Sequence, residues 1–136
     1  MRNILSFVIL MTSCSIALAD YNPNCVISIG IDNPRSEVVQ AVLDKGYFVR
    51  QNPGQFEGEY YLAVNWNGSG ETSGLAHSSC YASVSLEYVK NGGAINIFSV
   101  NDTSHRFGLQ GIGGGGLDCL TPILNSIDKM PSCPNK

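Results

Sequence analysis

Between residues 79 and 89 every second side chain is apolar: Ala82, Val84, Leu86 and Tyr88 alternate with Tyr81, Ser83, Ser85 and Glu87. A period of two belongs to a β-strand with one dry and one wet face, and it fits no helix. Residues 57–66 repeat it, with Tyr60, Leu62, Val64 and Trp66 on one side and Glu59, Tyr61, Ala63 and Asn65 on the other. Two such segments cannot hide their apolar sides alone and require a covering layer. Lys90-Asn91-Gly92-Gly93 follows as a tight hairpin turn centred on Asn91-Gly92, leading into a strand over 94–100.

Two helices supply the covering layer. After a short alternating strand at 25–31, Asn33 is expected to cap a helix whose first position is Pro34. Val38, Val39, Ala41, Val42 and Leu43 recur at helical spacing, Lys45 sits in the last turn, and Gly46 provides the left-handed residue that ends the helix. A strand begins at 47–50 and stops at Asn52-Pro53-Gly54. The second helix spans 117–130 and presents Leu117, Leu120, Ile123, Leu124 and Ile127 as one stripe. The stretches 67–79 and 101–116, rich in glycine and small polar residues, read as loops. The expected architecture is α+β, a two-layer sandwich of order β-α-β-β-β-β-α. Its sheet is mainly antiparallel, has about five strands and carries two helices on one face.

The chain has 136 residues, which suits one domain. Residues 4–18 are almost entirely apolar or small, follow Arg2, and end in Ala17-Leu18-Ala19. That is the pattern of a secretory signal, too short for a transmembrane span. The division is therefore 1–19 signal peptide and 20–136 a single domain, periplasmic or secreted. The run Leu10-Met11-Thr12-Ser13-Cys14 also resembles a lipobox, so the alternative is an outer-membrane lipoprotein anchored at Cys14. Eight Lys and Arg against eleven Asp and Glu leave no basic stripe for a row of phosphates, which argues against nucleic acid as a partner.

Export leaves Cys25, Cys80, Cys119 and Cys133, an even set expected to form two disulfides. A helix between Cys119 and Cys133 would hold them on the order of 15–20 Å apart, too far for a bond. Two pairings remain open: 25–119 with 80–133, or 25–133 with 80–119.

Little in the chain reads as catalytic. The run 111–116 contains a literal Gly-x-Gly-x-x-Gly, but no further strand or distal acid completes a dinucleotide fold. His77 and His105 belong to no ligand motif and lie in polar sequence, where solvated histidines are expected; neither metal nor other cofactor is assigned. Asn67-Gly68-Ser69 and Asn101-Asp102-Thr103 are glycosylation sequons, meaningful only in a eukaryotic secretory path. The wet sheet face, with Tyr61, Asn65, Tyr81, Ser83 and Ser85, is the candidate binding surface, because tyrosine offers rigid amphipathic contact area.

The segment from Glu37 through Lys45-Gly46-Tyr47 resembles the opening of small bacterial envelope proteins, many of them lipoproteins of unknown function. The closing helix before Lys129-Met130-Pro131 adds to it, and the whole is similar to the two-layer fold of the TolB N-terminal domain. The four cysteines and the irregular lipobox depart from that pattern. The resemblance carries no catalytic residues and implies an envelope binding or assembly role. The expected function is thus a non-enzymatic binding module with a protein or cell-envelope partner. The alternatives are a secreted inhibitor of a hydrolase such as a lysozyme or protease, and a small metal-dependent hydrolase using His77 and His105.

Overall fold

In the computed structural model, residues 23–71, 75–109 and 118–134 are described. The signal segment, Cys14 and the glycine run at 111–116 lie outside them. A single 3-10 turn at Pro23–Cys25 leads into β1 (Val26–Ile29), followed by α1 (Ser36–Asp44), β2 (Phe48–Val49), β3 (Tyr60–Glu71), β4 (Leu75–Lys90), β5 (Gly93–Leu109) and α2 (Leu120–Asp128). The order is the expected one, and the two-layer α+β architecture is borne out. The five strands form one sheet in the order β2-β1-β3-β4-β5. β1 pairs parallel with both β2 and β3, and the β3-β4-β5 ladders are antiparallel.

Three expectations need correction. The segments 67–79 and 101–116 are not loops where described: β3 continues to Glu71, β4 begins at Leu75, and β5 runs to Leu109. Small residues there take part in ladder hydrogen bonds, so polarity alone was a poor signal for a loop. At about 3.3 Å per residue, the 16-residue β4 is about 50 Å long. Second, α1 starts at Ser36 with Arg35 at the N-cap, because Asn33 adopts φ 48° and turns the chain before Pro34. The Arg35 carbonyl accepts the N–H groups of Val38 and Val39. Third, Trp66 shares the apolar face but is 50% exposed. β4 pairs with β3 at Trp66, but β1 ends its pairing at Ile29 with Leu62, so among the described residues no strand flanks β3 there on its other side.

The core lies between the helices and one sheet face. Ile27, Leu62, Val84 and Leu86 from the strands meet Val42 and Ile127 from the helices, each at most 1% exposed. Gly46, at φ +82°, ends α1 as expected, with its N–H on the Leu43 carbonyl. Asn91 and Gly92, at φ 55° and 74°, make the expected β4–β5 turn.

The disulfides are Cys25–Cys133 and Cys80–Cys119, with Cα atoms 6.0 and 5.1 Å apart. This is one of the two open pairings. The first ties the start of β1 to the tail after α2. The second fastens the start of α2 to the middle of β4.

Candidate binding face

The sheet face turned away from the helices is built by odd-numbered residues of β3 and β4 and, from Ser99 onward past the bulge opposite Leu86 and Glu87, of β5. Register places Asn67, Tyr81 and Thr103 in one row, Asn65, Ser83 and Asn101 in the next, then Ala63, Ser85 and Ser99. Their side chains are exposed or half-buried, and hydroxyl pairs link neighbouring strands: Ser69 with Ser79 at 3.1 Å and Ser85 with Ser99 at 2.7 Å. The two sequon asparagines, Asn67 and Asn101, are exposed on this same face.

The predicted residues do not all serve the face alike. Asn65, Tyr81, Ser83 and Ser85 lie together on it, with Tyr81 46% exposed. Tyr61 shares the face but packs at its edge. A Cβ added at Gly30 would lie 2.4 Å from the Tyr61 hydroxyl oxygen, so the phenol occupies the space above Gly30.

At the β1 end the face is covered. β2 and β3 flank β1 on opposite sides and run parallel to it, so Arg50 and Glu59 sit across β1 from each other. The Arg50 guanidinium binds the Glu59 carboxylate through both nitrogens, Nε to Oε2 at 2.9 Å and Nη2 to Oε1, and stacks 4.3 Å from the Phe56 ring. Beneath this bridge Val26 and Ser28 are buried, and the Ser28 Oγ has no hydrogen-bond partner among the described residues. The open part of the face is therefore confined to β3, β4 and β5.

The structure also brings His77 and His105 together, although neither belongs to a ligand motif in the sequence. His105 pairs with Ser79, one step along the same face from His77, so the two rings are diagonal neighbours on β4 and β5. His77 Nε2 lies 3.4 Å from His105 Nδ1. The signal that could have found them is the odd numbering of both residues, since β4 reaches back to Leu75 and β5 runs on to Leu109. Among the described residues, no group of three or more His, Cys, Asp or Glu is placed to hold a metal.

Two clefts on the helix side were also missed. One, of about 360 Å³, lies between Trp66, Arg35 and the first turns of both helices. At its rim Asp118 accepts the Thr121 N–H at 3.1 Å and the Thr121 hydroxyl at 2.7 Å, and binds Arg106 at 3.0 Å. The Thr121 bonds, with Arg106 adding to them, hold the Asp118 carboxyl below its usual range. The other cleft, of about 520 Å³, is lined by Tyr60, Tyr88, Ile95 and Ile97.

No family model and no curated protein matches the chain. Among solved structures it is similar to a minor lipoprotein from Acinetobacter baumannii, at 12% identity over 77% of this chain and 83% of that one, with a TM-score of 0.40. At that level of likeness nothing about function passes from one protein to the other. No helix among the described residues is long and apolar enough to cross a membrane.

Proposed function

We propose that this is a non-enzymatic binding module of the cell envelope or the secreted space, which engages a protein or envelope component through the open face of β3, β4 and β5. One observation carries the reading: both helices are spent on the opposite face, while Tyr81 stands half-exposed among Asn65, Asn67, Ser83 and Thr103. Such a surface offers a rigid aromatic anchor ringed by hydrogen-bonding groups, the composition favoured at protein interfaces. The disulfides suit an oxidising compartment.

Envelope extract passed over the immobilised protein tests this. Wild type is expected to retain a partner that Tyr81→Ala and Asn65→Ala release at least about tenfold more readily, as for loss of an interface anchor. Equal retention by all three proteins overturns the role of the face. Inhibition of a lysozyme or protease by the wild type would move the reading to a hydrolase inhibitor.

A further inference from the structure

The histidine pair on β4 and β5 has a geometry that a polar surface alone does not require. His77 and His105 stand on adjacent antiparallel strands whose Cα positions are fixed by the β4–β5 ladder, beyond the Cys80–Cys119 anchor. Their ring planes are within 7° of parallel, and the centroids are 5.6 Å apart while the facing nitrogens are 3.4 Å apart. The rings therefore meet edge to edge, nitrogen towards nitrogen.

A tetrahedral ion with metal–nitrogen bonds of about 2.0–2.1 Å holds two of its ligands about 3.3–3.4 Å apart. The existing separation of Nε2 and Nδ1 is the span such an ion needs. Coordination asks only that the rings tilt, with the strands left in place, and ligands carried on regular strands are held more firmly than ligands on loops.

We infer that His77 and His105 form a two-imidazole binding site for a late first-row divalent cation such as Zn²⁺ or Cu²⁺. Neutral imidazole nitrogens suit these ions and are poor ligands for Ca²⁺ and Mg²⁺, which take oxygen. With two protein ligands, the ion keeps positions for water or for a donor from another molecule, as open metal sites do. His77 is half-buried and His105 exposed, so both rings are reachable from solvent. His105 shares the row of Ser69 and Ser79, next to that of Asn67, Tyr81 and Thr103, so the pair stands at the end of the proposed partner face, yet its metal binding needs no partner.

The test is calorimetric titration of the purified, disulfide-intact protein with ZnCl2 and CuCl2 in a non-chelating buffer, alongside proton NMR of the histidine ring resonances. Wild type is expected to bind one equivalent of either ion, with Cu²⁺ the tighter, and no Ca²⁺ or Mg²⁺. His77→Gln and His105→Gln should each weaken binding at least about tenfold, since loss even of a group that merely supports a ligand has that effect. The ring resonances of both histidines should shift together on Zn²⁺ addition and broaden together on Cu²⁺ addition. That reading is made on the wild-type protein and is independent of whether the variants fold. Absence of Zn²⁺ and Cu²⁺ binding at millimolar metal, or binding that leaves both histidine spectra unmoved, overturns the site.

Discussion

The phenol of Tyr47 donates a hydrogen bond to the carbonyl oxygen of Pro131 at 3.2 Å, joining the residue before β2 to the tail after α2. Tyr47 is only 3% exposed, and its ring meets Tyr60 edge-on at 5.3 Å. Burial, followed by the neighbouring Tyr60, pushes its ionisation from 10.0 up to about 12. The unfolded chain then loses this proton before the fold does. The stabilisation is complete below pH 10 and declines as pH rises towards about 12. Denaturant titrations at pH 8 to 12 should show that decline. Tyr47→Phe should be less stable by about 1 kcal/mol at pH 8, the worth of one hydrogen bond, and decline less steeply above pH 10. Tyr60, shifted the same way, keeps some slope in the variant.

The disulfides differ in reach. Cys25–Cys133 spans 108 residues and Cys80–Cys119 spans 39. Replacing either pair with serine should cost about 2–5 kcal/mol, with the larger loss at Cys25–Cys133, whose longer loop restrains the unfolded chain more. Urea midpoints of the two double variants measure the difference.

Gly30→Ala should destabilise the domain even though Gly30 lies outside regular structure. An added methyl would enter the space of the Tyr61 phenol and approach the Leu62 carbonyl oxygen to 3.1 Å. Overpacking of this kind costs about 1–3 kcal/mol. The double variant Gly30→Ala/Tyr61→Ala should recover part of the loss, and thermal melts of the two proteins would register it.

Glu59→Ala should destabilise by about 1–3 kcal/mol, because it strips the bidentate partner from Arg50 and opens the cover over Val26 and Ser28. Ser28→Ala, by contrast, removes a buried hydroxyl without a partner among the described residues and should be neutral or slightly stabilising. Equilibrium unfolding of the two variants gives opposite signs if the bridge acts as a lid on β1.

The Glu57 carboxylate accepts the N–H groups of Asn91 at 2.7 Å and Gly92 at 3.1 Å, and these bonds hold its pKa below the usual value. The stabilisation is present above the unfolded-state value near 4.5 and is lost as pH falls through the lower folded value. Glu57→Gln should speed amide exchange at Asn91 and Gly92 at pH 7, and its stability gap from wild type should close on acidification.

Local chemistry carried most of the fold. The alternation through Leu62 and Val84, the Asn91-Gly92 turn and the left-handed Gly46 each have a short-range cause, and each appears where that cause puts it. The strand ends had no such signal. Gly68, Ser69 and Gly70 are residues of low strand propensity, and they pair because β4 already lies alongside as a template. The central position of β1, parallel to two neighbours, is equally nonlocal, as is the 25–133 choice between the pairings that remained. Of the candidate face, alternation marks Asn65, Tyr81, Ser83 and Ser85, but the closeness of His77 and His105 depends on register across strand ends whose sequence is polar and carries no local strand signal.

The 80–119 crosslink lies wholly within the segment closed by 25–133. A protease that cuts the backbone once anywhere between Cys25 and Cys133 consequently releases no fragment of that segment: both pieces stay covalently joined through the outer bond. Outside a cell, where peptidases are common and reductants scarce, a clipped molecule would keep its stoichiometry and its surfaces in register, and only reduction would let its parts diffuse away.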